Sequence, residues 1–241
     1  RAIDAAGADW IKMYGPTGSG DDVSGQQTFT YEEMKAAVDA AHSLGKRIAI
    51  HSYGASGARD AVRAGADSVE HAVDLDDATM QEMIRRRIFY VPTIDHNRYY
   101  IENAAGFGYT AEAVERMKSF LARNLQTTRR AHQLGVRIAM GSDAVMTMFG
   151  QNTRELGWFV QAGMSPLSAL ATATTAAATL LGKEKALGSL APGYLADIVA
   201  IDGDPTTDIR SVIHGVRWVM KGGIVVVSQL NDEKNRLRVM D

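Results

Sequence analysis

Short apolar segments of strand length alternate with amphipathic helical segments along most of the chain. The predicted strands cover residues 9–12, 47–51, 67–71, 89–93 and 136–143. The predicted helices cover residues 30–44, 56–64, 76–87, 111–134 and 152–162, and a further helix begins at Ser165. Thr30 and Glu33 have the spacing of a capping box, and Ser165-Pro166 is typical of an N-cap followed by a first-turn proline. This alternation favours an α/β fold on a parallel sheet that is covered by helices.

Weak internal repetition supports the same interpretation. Ala-Gly-Ala-Asp occurs at residues 6–9 and again at 64–67, and Leu-Gly-x-Arg-Ile-Ala occurs at 44–49 and again at 134–139. Each copy lies where a helix passes into a strand. After Gly182 the pattern changes to short apolar segments that are separated by Gly, Pro and Asp, at residues 188–193, 196–201, 216–220 and 224–227. These four segments are predicted to be the strands of a small β module.

Composition excludes several classes of protein. The 241 residues are 46% hydrophobic and 22% charged, which is typical of a globular chain. The 26 Lys and Arg residues against 28 Asp and Glu give a net charge of −2, so we expect no general affinity for nucleic acid. No apolar stretch approaches the ~18 residues of a membrane span, so we expect a soluble protein without a membrane partner. The absence of cysteine excludes disulfides and thiolate ligands, so any metal must be held by His, Asp, Glu or Lys.

Four of the predicted strands end on a side chain that can bind a metal ion: Lys12, His51, His71 and Asp143. In a (β/α) barrel, functional residues collect at the carboxyl ends of the strands, because the loops that follow the strands converge there. One such residue at a strand end is ordinary, as a solvated charge, a structural histidine or a helix cap. Four of them could share one centre.

The order of these motifs resembles the amidohydrolase superfamily, and within it the metal-dependent dipeptidase (prolidase) and imidazolonepropionase-like enzymes. The resemblance extends over residues 1–226 and depends on short motifs at 11–12, 50–54, 68–71, 91–93, 140–143, 151–155, 162–166, 169–174 and 188–198. It begins just before the family's fourth barrel strand. It therefore implies the C-terminal portion of a TIM-like (β/α)8 barrel, with five strands identified, together with strands of a small β-sandwich module.

The resemblance also implies a division of the chain. Residues 1–183 would form the partial barrel that carries the metal-hydrolase site, residues 184–227 the β-sandwich segment, and residues 228–241 a C-terminal tail. The family has a His-x-His pair at the end of its first barrel strand, and this sequence contains no such pair. We therefore expect a truncated chain that lacks an N-terminal segment or works as a homo-oligomer.

Roles for individual residues follow from the same resemblance. Lys12 would be carboxylated and bridge two divalent cations, since an ammonium group beside two dications is untenable. His51 and His71 would hold one cation, and Asp143 would bind the other and take a proton from the attacking water. Tyr53 would contact the substrate. We expect zinc, although these ligands also accept manganese or cobalt, and at most one bound ion in this chain instead of two.

The sequence therefore predicts a metal-dependent hydrolase of C–N bonds that acts on a small molecule or peptide, namely a dipeptide or an N-acyl amino acid. One alternative is a non-catalytic partial barrel that needs its N-terminal half or a partner chain, because five strands leave two open edges. A second alternative is a metal-free barrel that binds a phosphorylated ligand, for which Gly141-Ser142 is the one weak candidate.

Overall fold

The computed structural model of the protein describes residues 6–17 and 26–229. Most of the expected C-terminal tail, residues 230–241, lies outside the described residues. None of the described helices has both the length and the apolar character of a membrane-spanning segment.

A five-stranded parallel sheet forms the centre of the described fold. Its strands, in spatial order, are β1 (Trp10–Tyr14), β4 (Arg47–Ser52), β5 (Ser68–His71), β6 (Phe89–Val91) and β7 (Arg137–Ile138). A small antiparallel pair follows the first strand and consists of β2 (Pro16–Thr17) and β3 (Gln26–Gln27). The strand order follows the chain order, as repeated right-handed βα units produce. The predicted α/β fold is therefore confirmed.

Helices connect the strands and cover the sheet. Those up to the last sheet strand are α1 (Tyr31–Ser43), α2 (Ala55–Ala64), α3 (Asp77–Arg86), α4 (Ile94–Glu102), α5 (Ala104–Phe107) and α6 (Ala111–Leu134). The later ones are two 3₁₀ turns (Met146–Met148 and Asn152–Arg154), α7 (Glu155–Gln161), α8 (Pro166–Ala173), α9 (Thr175–Leu180) and α10 (Arg210–His214). The predicted caps are present, because Thr30 and Glu33 satisfy each other's backbone N–H groups and Ser165 accepts from the Ser168 N–H.

The main core lies between the sheet and its helices. Ile48, Ile50, Val69 and Tyr90 of the central strands are fully buried, and they belong to one apolar cluster with residues such as Met34 of α1. Strands that are buried on both faces require the near-continuous apolar segments seen in the sequence. The sheet therefore forms a rigid base from which the residues at its carboxyl edge project.

Several segments of the first 143 residues differ from the prediction. The first strand is predicted to end at Lys12 but continues to Tyr14, so Lys12 lies within the strand. Residues 94–110, for which the sequence pattern predicts neither a helix nor a strand, contain helices α4 and α5. The last sheet strand was expected over residues 136–143, but pairing stops at Ile138. The chain beyond it leaves the ladder and reaches Asp143 in a left-handed conformation, at a φ of 45°.

A three-stranded antiparallel sheet follows the last long helices. It has the order β10 (Ile224–Ser228), β9 (Val216–Lys221) and β8 (Ile198–Ile201). Three of the four predicted strands are therefore confirmed. The prediction of a strand at 188–193 is wrong, because Gly188 and Gly193 both adopt left-handed conformations (φ 86° and 90°) that turn the chain instead of extending it.

Candidate active site

All five residues that the sequence singled out lie around one cleft at the carboxyl edge of the parallel sheet. Parallel pairing sets His71 opposite Ser52 and His51 opposite Tyr14, so adjacent strands deliver their ends to the same place. The cleft is lined by Lys12, Tyr14, His51, Tyr53, Glu70, His71, Val91, Thr93, Gly141 and Asp143. The structure therefore brings together side chains from residues 12 to 143.

His51 and His71 lie side by side at the base of this cleft. Their ring centroids are 4.5 Å apart in an edge-on arrangement, and both side chains are buried. Burial lowers the pKa of His51 to about 4, and the nearby charge of Lys12 acts in the same direction. Burial also lowers the pKa of His71 well below its ordinary value. Both imidazoles are therefore neutral at pH 7, with one lone pair each available to an electrophile.

The ring of His71 contacts Thr93, which lies two residues beyond the end of the next strand, β6. His71 Nδ1 lies 2.5 Å from the Thr93 hydroxyl oxygen, and both groups are buried. His71 and Thr93 each adopt a left-handed backbone conformation, with φ values of 72° and 51°. Such conformations are uncommon outside glycine and are maintained by surrounding structure, often at functional sites.

Lys12 forms an ion pair with Glu70 of strand β5 at the edge of the cleft. Its Nζ donates to Glu70 Oε2 at 2.7 Å, and the Ser68 hydroxyl donates to the other oxygen of the same carboxylate at 2.5 Å. The Lys12 side chain is 44% exposed, whereas that of Glu70 is largely buried. Lys12 therefore stands in the cleft as an ammonium group with an anionic partner.

Asp143 lies on the opposite side of the cleft and contacts a histidine of helix α4. His96 Nδ1 donates to the Asp143 backbone carbonyl at 2.7 Å and lies 3.3 Å from Asp143 Oδ2. Because a carbonyl can only accept, Nδ1 must carry the proton in the neutral ring. The Asp143 carboxylate remains half-exposed, and the residue lines the cleft.

Tyr53 forms one wall of the cleft. Its ring contacts those of His51 at 4.5 Å, His71 at 5.0 Å and Phe120 at 5.3 Å between centroids. Burial raises the pKa of the Tyr53 hydroxyl, so this group stays protonated at neutral pH. Packing against Phe120 fixes the ring, and the hydroxyl can serve as a hydrogen-bond donor.

Several residues of the site were not predicted from the sequence. Glu70 pairs with Lys12 across 58 residues, Thr93 contacts His71 across 22, and the buried Glu155 binds the start of α4 across 61. Such partners are set by the register of the sheet and the packing of helices, and no local spacing indicates them. The one available signal is that Glu70, Thr93 and Glu155 lie within the short motifs at 68–71, 91–93 and 151–155.

The donor set fits a divalent ion in part. Among residues 6–17 and 26–229, no three His, Cys, Asp or Glu side chains are grouped closely enough to hold a metal ion. The two neutral imidazoles are nevertheless suitable as a pair of nitrogen ligands. Lys12 is unsuitable as an ammonium group, and only its deprotonated, carboxylated form would be an anionic ligand.

Comparison with known proteins agrees with the fold and the motif order. The sequence matches the model of the Amidohydrolase family over residues 1–226, and the chain belongs to that family. Ochratoxinase from Aspergillus niger is 31% identical over 223 residues, which cover 90% of this chain and 46% of the relative. Imidazolonepropionase from Geobacillus thermodenitrificans is 27% identical over 220 residues, which cover 83% and 44%. The chain spans about half the length of these relatives.

Solved structures show the same relationship. A Xaa-Pro dipeptidase with methionine in its active site matches with a TM-score of 0.85 at 37% identity, over 93% of this chain and 56% of the other. A prolidase complexed with N-methylphosphonate-L-proline matches with a TM-score of 0.87 at 29% identity, over 95% and 57%. These matches confirm the resemblance stated from the motifs, and they identify the five-stranded sheet as part of a (β/α) barrel.

Proposed function

We propose that the protein is a metal-dependent hydrolase of C–N bonds that acts on dipeptides or N-acyl amino acids. The observation that carries this proposal is the convergence of Lys12, His51, His71 and Asp143 in one cleft at the sheet's carboxyl edge. A relative named as a Xaa-Pro dipeptidase, and another named as a prolidase that holds a proline phosphonate, support dipeptides as the substrate class.

In this proposal His51 and His71 hold one divalent ion, for which their buried, neutral rings are prepared. A divalent metal supplies Lewis acidity toward the scissile carbonyl and lowers the pKa of a water to roughly 7. Lys12 would join as a carbamate: its ammonium group would leave the ion pair with Glu70 and lose a proton, and the neutral amine would add carbon dioxide and release a second proton to solvent. The carbamate then supplies the negative charge that two imidazoles lack.

The other side of the cleft performs the proton transfer. Asp143 accepts the proton of the attacking water and passes it to the leaving amine, because its carboxylate is half-exposed toward the cleft. His96 holds the Asp143 backbone in place through the carbonyl contact. Tyr53 donates its hydroxyl to a polar group of the substrate, and its rigid ring limits the orientation of the bound molecule.

The test compares two histidines of the same chain. We expect His71→Gln to reduce zinc binding and hydrolysis of an Xaa-Pro and N-acetyl amino acid panel at least about 100-fold, since removal of even an outer-shell partner costs 10–100-fold. Zinc content after dialysis and initial rates, measured on the whole protein, give both numbers.

His214→Gln is the matched control, because this histidine ends helix α10 beside the antiparallel sheet and does not line the cleft. It should retain zinc and turnover. Equal activity of the His71 variant and the unmodified protein would refute the ligand role. A zinc-loaded protein that hydrolyses nothing in the panel would refute the proposed reaction.

A further inference from the structure

A fully buried carboxylate lies behind the cleft, at the first residue of helix α7. Each oxygen of Glu155 accepts one backbone N–H: Oε1 from Ile94 at 2.7 Å and Oε2 from Asp95 at 2.8 Å. These are the first two residues of helix α4. The first N–H groups of a helix have no partner within the helix, and an anion is favoured beside them.

Helix α4 lacks the cap that usually satisfies these groups. Thr93 occupies the N-cap position, but its backbone is left-handed and its side chain makes no capping hydrogen bond. Its hydroxyl instead contacts His71 Nδ1 at 2.5 Å. Glu155 therefore accepts the hydrogen bonds that the Thr93 side chain would accept in an ordinary helix. The Thr93 hydroxyl is then available to contact His71 in the cleft.

The same helix turn reaches the other side of the cleft. His96, the third residue of α4, donates from Nδ1 to the Asp143 carbonyl at 2.7 Å. Thr93 and His96 are separated by less than one turn of helix, so a shift of the α4 start moves both contacts together. One buried carboxylate thus lies behind the hydrogen bonds on both sides of the site.

A second contact from α7 holds the same helix start. The Trp158 indole N–H donates to Asp95 Oδ1 at 2.9 Å, one helical turn beyond Glu155. Arg98 Nε donates to the same carboxylate oxygen at 2.6 Å. Helix α7 therefore contacts α4 at two points, through Glu155 at the backbone and through Trp158 at the Asp95 side chain. Two contacts limit the rotation of α4 as well as its sliding.

We infer that Glu155 is a positioning residue of the proposed hydrolytic site, which sets the ring of His71 through Thr93 and the place of Asp143 through His96. The positioning itself is inferred from the contacts above. Its importance for catalysis rests on the proposed function. Burial raises the pKa of Glu155 to about 8, while the two backbone N–H groups favour its charged form. Whether Glu155 is charged or protonated, at least one of its two oxygen atoms can accept a hydrogen bond from these N–H groups.

The test reads the two histidine rings directly. In the metal-free chain labelled with ¹⁵N-histidine, ring-nitrogen shifts report which nitrogen carries the proton. We expect His71 and His96 each to hold a single tautomer. Glu155→Gln turns an amide NH₂ toward a backbone N–H, so two donors face each other and the α4 start must move. The signals of both rings should then shift toward the average of two tautomers.

Two further variants separate positioning from general stability. Ser165→Ala removes the N-cap of α8, which is a similar loss at a helix that does not carry the cleft residues, and it should leave both rings unchanged. Thr93→Ala removes the hydroxyl that contacts His71, so the His71 signals should shift while those of His96 stay. If Glu155→Gln does not fold, unchanged His71 signals in Thr93→Ala still overturn the role, because Glu155 is inferred to act on His71 through Thr93.

The outcomes are distinct from those of the functional test. A folded Glu155→Gln protein with both rings unchanged would overturn the positioning role, as would unchanged His71 signals in Thr93→Ala. Because the ring measurement needs neither metal nor turnover, either result leaves the hydrolase proposal standing. Absence of hydrolysis by the unmodified protein overturns that proposal instead, without changing the ring signals.

Discussion

The two sheets of this protein bury their side chains to very different degrees. Ile50 of the parallel strand β4 is 0% exposed, whereas Ile224 of the antiparallel strand β10 is 70% exposed. Every residue of β10 is exposed, while the last three residues of β4 are all buried. The candidate site lies on the buried sheet. Positioning to within a fraction of an ångström requires packed surroundings, and the antiparallel sheet does not provide them.

The strongest test of this difference makes the same isoleucine-to-alanine substitution in both sheets. We expect Ile50→Ala to lower the free energy of unfolding by about 2–5 kcal/mol, because it leaves a cavity in a packed core. Ile224→Ala should change it by less than about 0.5 kcal/mol, as for other surface substitutions. Urea unfolding of both variants gives the two values, and equal losses would contradict the difference drawn between the sheets.

A second comparison follows the free energy of unfolding as the pH is lowered. The pKa of His51 is about 4 in the folded chain against an ordinary value of 6.5, so the unfolded chain binds more protons between these two pH values. The free energy of unfolding should therefore fall as the pH drops from 6.5 to 4, by about 1–3 kcal/mol from this group. His71 acts in the same direction.

The measurement is urea unfolding at a series of pH values. His51→Gln should flatten the decrease. His214→Gln should leave it unchanged, because that side chain is exposed beside the antiparallel sheet. A decrease that is as steep in His51→Gln as in the unmodified chain would show that the buried pair is not its source.

The smallest expected effect concerns the segment that leads into the antiparallel sheet. Gly188 and Gly193 both have left-handed backbones, but a Cβ at Gly188 would lie 2.7 Å from the Thr174 carbonyl oxygen, whereas one at Gly193 meets nothing within 4 Å. Gly188→Ala should therefore cost about 1–2 kcal/mol more than Gly193→Ala. Thermal unfolding of the pair checks this, and equal costs would mean that the contact relaxes freely.

Local patterns predicted the elements whose stability is local. Helix α6 was expected at residues 111–134 and is found there, since its start has an N-cap at Thr110 and its end has Gly135 in a left-handed conformation. The strand end at His71 was also correct and β4 ends one residue beyond His51, because apolar segments bounded by polar residues mark buried strands. The site residues were expected to converge because the carboxyl ends of parallel strands lie at one edge of the sheet.

Partners that are distant in the sequence account for what was missed. Residues 94–102 have no cap of their own, and the helix there is satisfied by Glu155, 61 residues further along. The pairing of Lys12 with Glu70 depends on which strands become neighbours, a property of the folded sheet. No nearby sequence pattern contains either fact.

The left-handed residues of the cleft have a consequence for laboratory evolution. His71, Thr93 and Asp143 have φ values of 72°, 51° and 45°, and the cost is greatest for the β-branched Thr93, of order 1–3 kcal/mol. Glycine or asparagine at position 93 would relieve that cost. A selection for heat resistance alone should therefore enrich replacements of Thr93, and these would remove the hydroxyl that contacts His71. Stability and the geometry of the cleft are thus opposed at this one residue.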